Sequence, residues 1–303
     1  MDEPVKRGQT YLLLVIFTII FGLNLIAVKL MNAHSQPITI TGCRLVVAGI
    51  MIFVYVIWKR QFQTISLRHG MYLLWICLTG MVLHHSLLSI GLTLTSAVHA
   101  ALIMALTPLT TSVMAYFILN ERLTSMKIIG IVLGIAGISL IIWNDMAVLS
   151  INAGDLLVCA AMFCQSLSFI LIKKLQGSLS DAYMTSLLLS AGGILLLLLG
   201  WFVEKTPITE VFLGMDTKII AVFLFSSFLA TALGSVVWNQ SVRKLGPGKA
   251  SIFLNTVPFY GIFAAALILQ EKVYPYHVLG LLVVITGVYL GTVASRKQSI
   301  NAG

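Results

Sequence analysis

The sequence predicts an all-α integral membrane protein of ten transmembrane helices, built as two inverted five-helix repeats. Three observations predict it. Apolar residues come in ten blocks, each near the ~20 residues that span a bilayer core; basic residues crowd into alternate loops; and one costly feature is written twice. That feature is "TPLTTSVMAYFILNER" at 107–122 and "VPFYGIFAAALILQEK" at 257–272: Pro108 recurs as Pro258, Glu121 as Glu271 and Arg122 as Lys272, at a spacing of 150 residues.

Of the 303 residues, 59% are hydrophobic and 10% charged, against roughly 25% charged in soluble domains. Water is therefore not the solvent for most of this chain. The ten blocks run over about 11–31, 38–58, 71–91, 95–118, 125–143, 152–172, 181–201, 218–240, 248–269 and 275–295. They are read as helices because each unpaired backbone group costs several kcal/mol in hydrocarbon, and barrel strands would be shorter and would alternate. The chain carries 19 basic and 10 acidic residues. Lys6, Arg7, Lys59, Arg60, Arg68, Arg122, Lys127, Lys173, Lys174, Arg243, Lys244, Lys249, Arg296 and Lys297 fall at the termini and in every second loop. Cytoplasmic loops collect Lys and Arg, so both termini are expected inside, in the cytoplasmic membrane. The positive charge is an orientation signal: the expected partners are the lipid bilayer and a small-molecule substrate, with no nucleic acid. A homodimer is left open.

Taken in order, the first block is too long for a signal-peptide core and no small-residue cleavage site follows it, so it reads as a retained span. It holds Asn24 near mid-depth and Lys29 close to its outer end, where a lysine snorkels. The second block places Arg44 about six residues in, ~9 Å along the axis; a charge there faces protein or a wet cavity. Arg44 is either an anchor to neighbouring helix ends or a substrate contact. The third block holds His84 and His85, which point about 100° apart on a helix. The fourth opens near His99, contains Pro108, which cannot bond the carbonyl of Met104, and closes on Glu121 and Arg122.

The fifth carries Gly130 and Gly137. The sixth begins beside Asp155, a favourable charge at a helix N-terminus, and holds Gln165 and Ser168, one of which is the counterpart of Asn24. The seventh leads into the longest loop, 202–217, which is too short to house ATP chemistry. The eighth ends in Trp238, an interfacial anchor or a cavity aromatic, before a turn at Gly246-Pro247-Gly248. In the ninth, Asn255 precedes Pro258 and Tyr260, and Glu271 and Lys272 close it. The repeat position of Asn255 is Ala105, so its polarity is not demanded by packing symmetry. In the tenth, Gly280 and Gly287 repeat Gly130 and Gly137. Five spans per repeat is an odd number, so the second half, 147–303, enters the membrane inverted relative to the first, 1–146.

The candidate substrate-binding groups are Asn24, Arg44, His84, His85, His99, Gln165, Ser168, Trp238, Asn255 and Tyr260. Their competing role is interhelical hydrogen bonding, about 0.6 kcal/mol per bond on average. Pro108 and Pro258 are hinge candidates. Glu121, Arg122, Glu271 and Lys272 read as structural helix-end charges, contributing ~0–1 kcal/mol each at a surface. Cys43, Cys77, Cys159 and Cys164 lie inside spans without paired ligand spacing, so no disulfide, metal or cofactor is expected. Catalytic patterns are absent: there is no phosphate loop, no His-Glu-x-x-His and no Gly-x-Ser-x-Gly.

Five stretches carry a resemblance: "FGLNLIAVK" in span one, "CRLVVAG" opening span two, "LTLTSAVHAALIMALTPLTT" into span four, "GDLLVCAAMFCQSLSF" in span six and "LGPGKASIFLNTVPFYGIFAAALILQEK" in span nine. In this order and doubling the sequence resembles the drug/metabolite transporter superfamily, specifically its ten-helix EamA-type members, from about residue 11 to 295. It departs from the family's common Trp-Gly at Phe21-Gly22. The resemblance implies a central cavity lined mainly by spans one, three, four, six, eight and nine, opening alternately to the two sides. It also implies a secondary transporter that moves small organic metabolites, amino-acid-like compounds or drugs, with efflux favoured. Energy coupling is left between facilitated diffusion and proton coupling through histidine. Two rival readings are a membrane enzyme acting on lipid-linked groups, which lacks a second acid or base, and a non-transporting scaffold.

Overall fold

The computed structural model describes residues 3–121, 124–146, 152–175, 179–213, 215–238, 253–254 and 256–291. Asn255, Arg122 and the turn at 246–248 lie outside the described residues. Seven described helices are long and apolar enough to cross a membrane, and three further apolar segments are shorter. In chain order they are α1 (Leu12–His34, continuous with a helix from Glu3), α2 (Pro37–Trp58), α3 (Leu67–Leu94), α4 (Ala97–Leu119), α5 (Ser125–Met146), α6 (Ala153–Leu175), α7 (Asp181–Val203), α8 (Thr217–Trp238), α9 (Val257–Ile268) and α10 (Pro275–Tyr289). A short helix, Ile208–Val211, lies in the loop between α7 and α8.

Helix starts follow local chemistry. Ser66, Ser96, Ser180 and Asp216 each accept a hydrogen bond from the backbone N–H three residues on, which satisfies a donor that the helix itself cannot. Two starts, that of α2 and the Ser96-capped start of α4, are also met by a carboxylate from a distance. Glu204, at the end of α7, accepts from the backbone of Ile38 at 2.8 Å and Thr39 at 2.9 Å, opening α2. Glu271, beyond α9, accepts from Ala97 at 2.9 Å and Val98 at 3.0 Å, opening α4. A carboxylate at a helix N-terminus is favoured by the aligned peptide dipoles.

The two halves interleave. α2 packs on α7 and α5 on α10; around these pairs, α1 meets α8 and α9 while α6 meets α3 and α4, and α2 meets α8 while α7 meets α3. Each of these contacts has its image with the halves exchanged. The α5–α10 seam shows the inversion directly. A Cβ added to Gly130 would meet the Gly287 carbonyl oxygen at 2.4 Å, and one added to Gly137 would meet that of Gly280 at 2.8 Å. Gly280 and Gly287 are the repeat images of Gly130 and Gly137, and they pair crosswise, so α5 runs antiparallel to its own counterpart. α2 and α7 do the same: a Cβ on Gly49 would lie 2.6 Å from the Ser190 nitrogen and one on Gly193 2.7 Å from that of Val46. Small residues let membrane helices approach until backbones touch, and the contact then comes from close packing.

A methyl group has no room at this seam, and overpacking of this kind costs about 1–3 kcal/mol. Gly130→Ala is expected to lower the thermal unfolding midpoint in detergent micelles. Gly70→Ala, whose new methyl would meet only the Ile65 side chain at 4.0 Å, is expected to leave it unchanged or slightly raised; equal midpoints for the two variants would refute the close-packed seam.

Candidate functional site

Two helices leave α-geometry at matched places. α3 forms a π-helical turn over Cys77–Leu83 and α8 over Phe225–Leu233. Shifted by the repeat spacing of 150, the first falls on 227–233, inside the second. The His84 N–H bonds the Thr79 carbonyl and the Gly234 N–H that of Leu229, each five residues back. Such turns are rare and concentrate at functional sites. Hydroxyls stitch them to the backbone: Thr79 donates to Trp75 at 2.7 Å, Ser227 to Phe223 at 2.8 Å and Thr231 to Ser226 at 2.8 Å.

The π-turn of α8 sets the site. Residues five apart on an α-helix point roughly 140° from each other, whereas the i→i+5 closure brings Ser226 and Thr231 to one side. Both face Arg44 of α2, whose Nη1 donates to the Ser226 and Thr231 hydroxyls at 3.3 Å each. Its Nη2 reaches His85 Nδ1 at 3.5 Å, a long contact. Ser226 in turn donates to Asn24 Oδ1 at 2.5 Å. Arg44 is 2% exposed, and among the described residues no carboxylate pairs with it. Its Nε has no hydrogen-bond partner. A buried cation among neutral groups is costly, because its Coulomb partner is missing while its hydration has been lost.

His84 packs edge-on to His85 with ring centroids 4.7 Å apart. Its Nδ1 lies 3.0 Å from the Ala161 carbonyl of α6; a carbonyl only accepts, so this nitrogen carries the proton. An arginine only donates, so His85 Nδ1 accepts, and the two histidines are held in opposite tautomers. Asn24, Arg44, His84 and His85 are thus brought together, with Ser226 and Thr231 as partners.

The remaining candidates stand elsewhere. His99 bonds Asp155 at 3.3 Å, and Thr95 donates to the same carboxylate, fixing the start of α6 against the α3–α4 turn. Ser168 is fully buried, donates to the Gln165 carbonyl at 2.9 Å and lies against Gly80 of α3. Trp238 stacks near Phe17 with centroids 6.1 Å apart. Tyr260 packs where α9 crosses α1 at Gly22. Pro108 and Pro258 are each the second residue of a new helical stretch, where no donor is missed. The Met104 carbonyl that Pro108 leaves free accepts from the Thr107 hydroxyl at 2.6 Å. Among the described residues, no three His, Cys, Asp or Glu side chains are grouped to hold a metal.

Sequence reading treated Lys29 as snorkelling, but it bonds Glu271 at 2.7 Å and the Thr95 carbonyl at 2.8 Å. Glu121, the repeat image of Glu271, pairs with Lys173 and, at 3.5 Å, with Lys127. Lys272 is exposed. Both ion pairs join helices of different halves, α1 to the end of α9 and α6 to the end of α4. The recurrence of the acid at a fixed spacing was visible in the sequence; its basic partner was not, because the base that recurs with it, Arg122/Lys272, is a different residue. Ser226 and Thr231 were missed because hydroxyls in an apolar block signal nothing until the π-turn aligns them.

Antiparallel repeats with apolar exteriors and a polar cluster between the halves define a multi-pass helical membrane protein of the inverted-repeat transporter class. The chain matches the EamA-like transporter family over residues 8–143 and again over 152–293, and it belongs to that family, within the drug/metabolite transporter superfamily. It is 25% identical to the uncharacterized transporter YyaM of Bacillus subtilis, over 98% of this chain and 98% of that protein. It is also 25% identical to a protein of Salmonella typhimurium described as a probable amino-acid metabolite efflux pump, over 97% of this chain and 98% of that one. A crystal structure 14% identical in sequence superposes with a TM-score of 0.66, covering 94% of this chain and 97% of the other, which shows the shared fold.

The hydrogen bond from Lys173, with both lysine charges, holds the Glu121 carboxyl below the ordinary glutamate value. A lowered folded-state pKa makes this pairing's contribution complete above the unfolded value and lost as pH falls through the lowered one. The gap in thermal stability between wild type and Glu121→Gln is therefore expected to be constant at neutral pH and to close only in acid, below the ordinary glutamate range. A gap that closes near pH 6, or none at any pH, would contradict the pairing.

Proposed function

We propose that the protein moves small organic metabolites, amino-acid-like compounds or amphipathic drugs across the cytoplasmic membrane by alternating access, in the direction of efflux. The observation that carries this reading is the polar cluster of Asn24, Arg44, His84 and His85, centred on a buried arginine and held between antiparallel halves. The Salmonella relative's description supports the solute class and the direction. Basic residues in alternate loops support cytoplasmic termini.

The reciprocal ion pairs supply the two ends of the cycle. Glu271 and Glu121 are repeat images and their lysines, Lys29 and Lys173, stand on the counterpart helices α1 and α6, so inversion puts the two pairs at opposite membrane faces, and each must part when its own face opens. Their side chains differ in exposure, 24% and 15% in the first pair against 59% and 32% in the second. The first end is the more closed in this conformation. Rocking of α4 and α9 about Pro108 and Pro258 would exchange the two.

Reconstituted vesicles and a metabolite-uptake screen test the transport itself; no flux of any metabolite would end the proposal. Single cysteines at positions 24, 105 and 255 in a cysteine-free background, probed with membrane-impermeant thiol reagents, test the mechanism. Labelling is expected to switch sides with ligand, and Glu271→Gln is expected to raise labelling from the Lys29 face severalfold. A one-sided pattern indifferent to ligand points to a fixed pocket, and Pro108→Ala with unimpaired flux removes the hinge role.

A further inference from the structure

We infer that Arg44 is a carboxylate-binding subsite between the two halves, and that the solute carried is an organic monocarboxylate gripped side-on by the guanidinium. The inference rests on the transport reading above and names its substrate class.

The argument is in how the guanidinium is used. The planar group has two forks of donors, and Nη1 is already occupied by Ser226 and Thr231 at 3.3 Å each. The other edge, formed by Nε and Nη2, is spare: Nε is buried without a partner, and Nη2 has only the 3.5 Å contact to His85. That edge is the one that presents two parallel N–H bonds to a carboxylate. The two hydroxyls fix the plane from behind, so the fork is oriented before anything binds.

Charge points the same way. Arg44 is 2% exposed, and its described neighbours, Asn24, His84, His85, Ser226 and Thr231, include no carboxylate. An incoming anion supplies the missing counter-charge. A single fixed cation matches one negative charge, which favours a monocarboxylate over a phosphate dianion. Asn24 and His85 beside it are half-buried rather than sealed. Lys29 is already neutralised by Glu271 at 2.7 Å and does not compete.

The test is thermal unfolding of purified protein in detergent micelles, titrated with matched pairs: straight-chain carboxylates from acetate to octanoate and leucine, against their primary amides. Sodium chloride at equal ionic strength is the reference. Carboxylates are expected to raise the unfolding midpoint at concentrations at least fivefold below those of the amides. Arg44→Gln is expected to raise the half-saturating carboxylate concentration roughly 10- to 100-fold, the weight of a charge-assisted hydrogen bond. If Arg44→Gln does not fold, Arg44→Lys decides, since a lysine cannot form the paired bonds and is expected to cost about tenfold. The inference is overturned if acids and amides stabilise alike, if no carboxylate stabilises the wild type, or if the folded variant keeps the wild-type preference. Vesicle flux of uncharged metabolites that persists alongside any of these results leaves the transport reading standing and removes only the carboxylate.

Discussion

Hydrocarbon offers no hydrogen-bond partner, and most features of this structure follow from that one constraint. Every irregularity in a spanning helix has to be satisfied from within the protein. The carbonyl freed by Pro108 is met by the Thr107 hydroxyl, and the π-turns of α3 and α8 are closed by Thr79, Ser227 and Thr231. The open starts of α2 and α4 are closed by carboxylates from the far half of the chain, Glu204 and Glu271. Those last two caps do more than satisfy donors. Each ties a helix of the first half to the end of a helix of the second, so local backbone chemistry becomes long-range architecture.

Inversion organises what the constraint leaves free. Because the repeats run antiparallel, Gly130 meets Gly287 and Gly137 meets Gly280, and Lys29–Glu271 has its counterpart in Lys173–Glu121. One sequence device therefore serves two membrane faces. The symmetric parts are those concerned with closure and packing: tight glycine seams, ion-paired ends, and π-turns that widen α3 and α8 at the same depth. Wider turns spread side chains differently from an α-helix, and in α8 this brings Ser226 and Thr231 to the same guanidinium.

The fold was legible because its signals are long and redundant. Ten apolar blocks, an alternating charge bias and the Pro108/Pro258 and Glu121/Glu271 doublets each report over tens of residues. The site was legible only in part. Asn24, Arg44, His84 and His85 stand out as polar groups in apolar blocks and do assemble. His99 and Ser168 stand out equally and go instead to Asp155 and to a helix contact beside Gly80. The difference is helical phase, which a π-turn shifts by inserting a residue per turn, and nothing in "FSSFLATAL" announces that insertion. Lys29 was misjudged for a related reason: its partner is 242 positions away in the chain, and only the inverted packing brings the two together.

Where the symmetry fails is as informative as where it holds. Packing, capping and, on the proposed cycle, gating are served equally well by both halves, but a solute has one shape and one charge distribution, so groups that read it need no image. On the carboxylate inference, Arg44 is such a group. In the antiparallel α2–α7 pair it stands near the crossing of Val46 and Gly193, and α7 offers no cation in return: its described residues between Asp181 and Val203 include no lysine or arginine. Had the fold supplied a resident carboxylate, as it does for Lys29, the interior would be electrically complete and a passing solute would find little to hold. Leaving one guanidinium edge unanswered makes the empty interior less stable, and on the carboxylate inference that deficit is what binding would draw on.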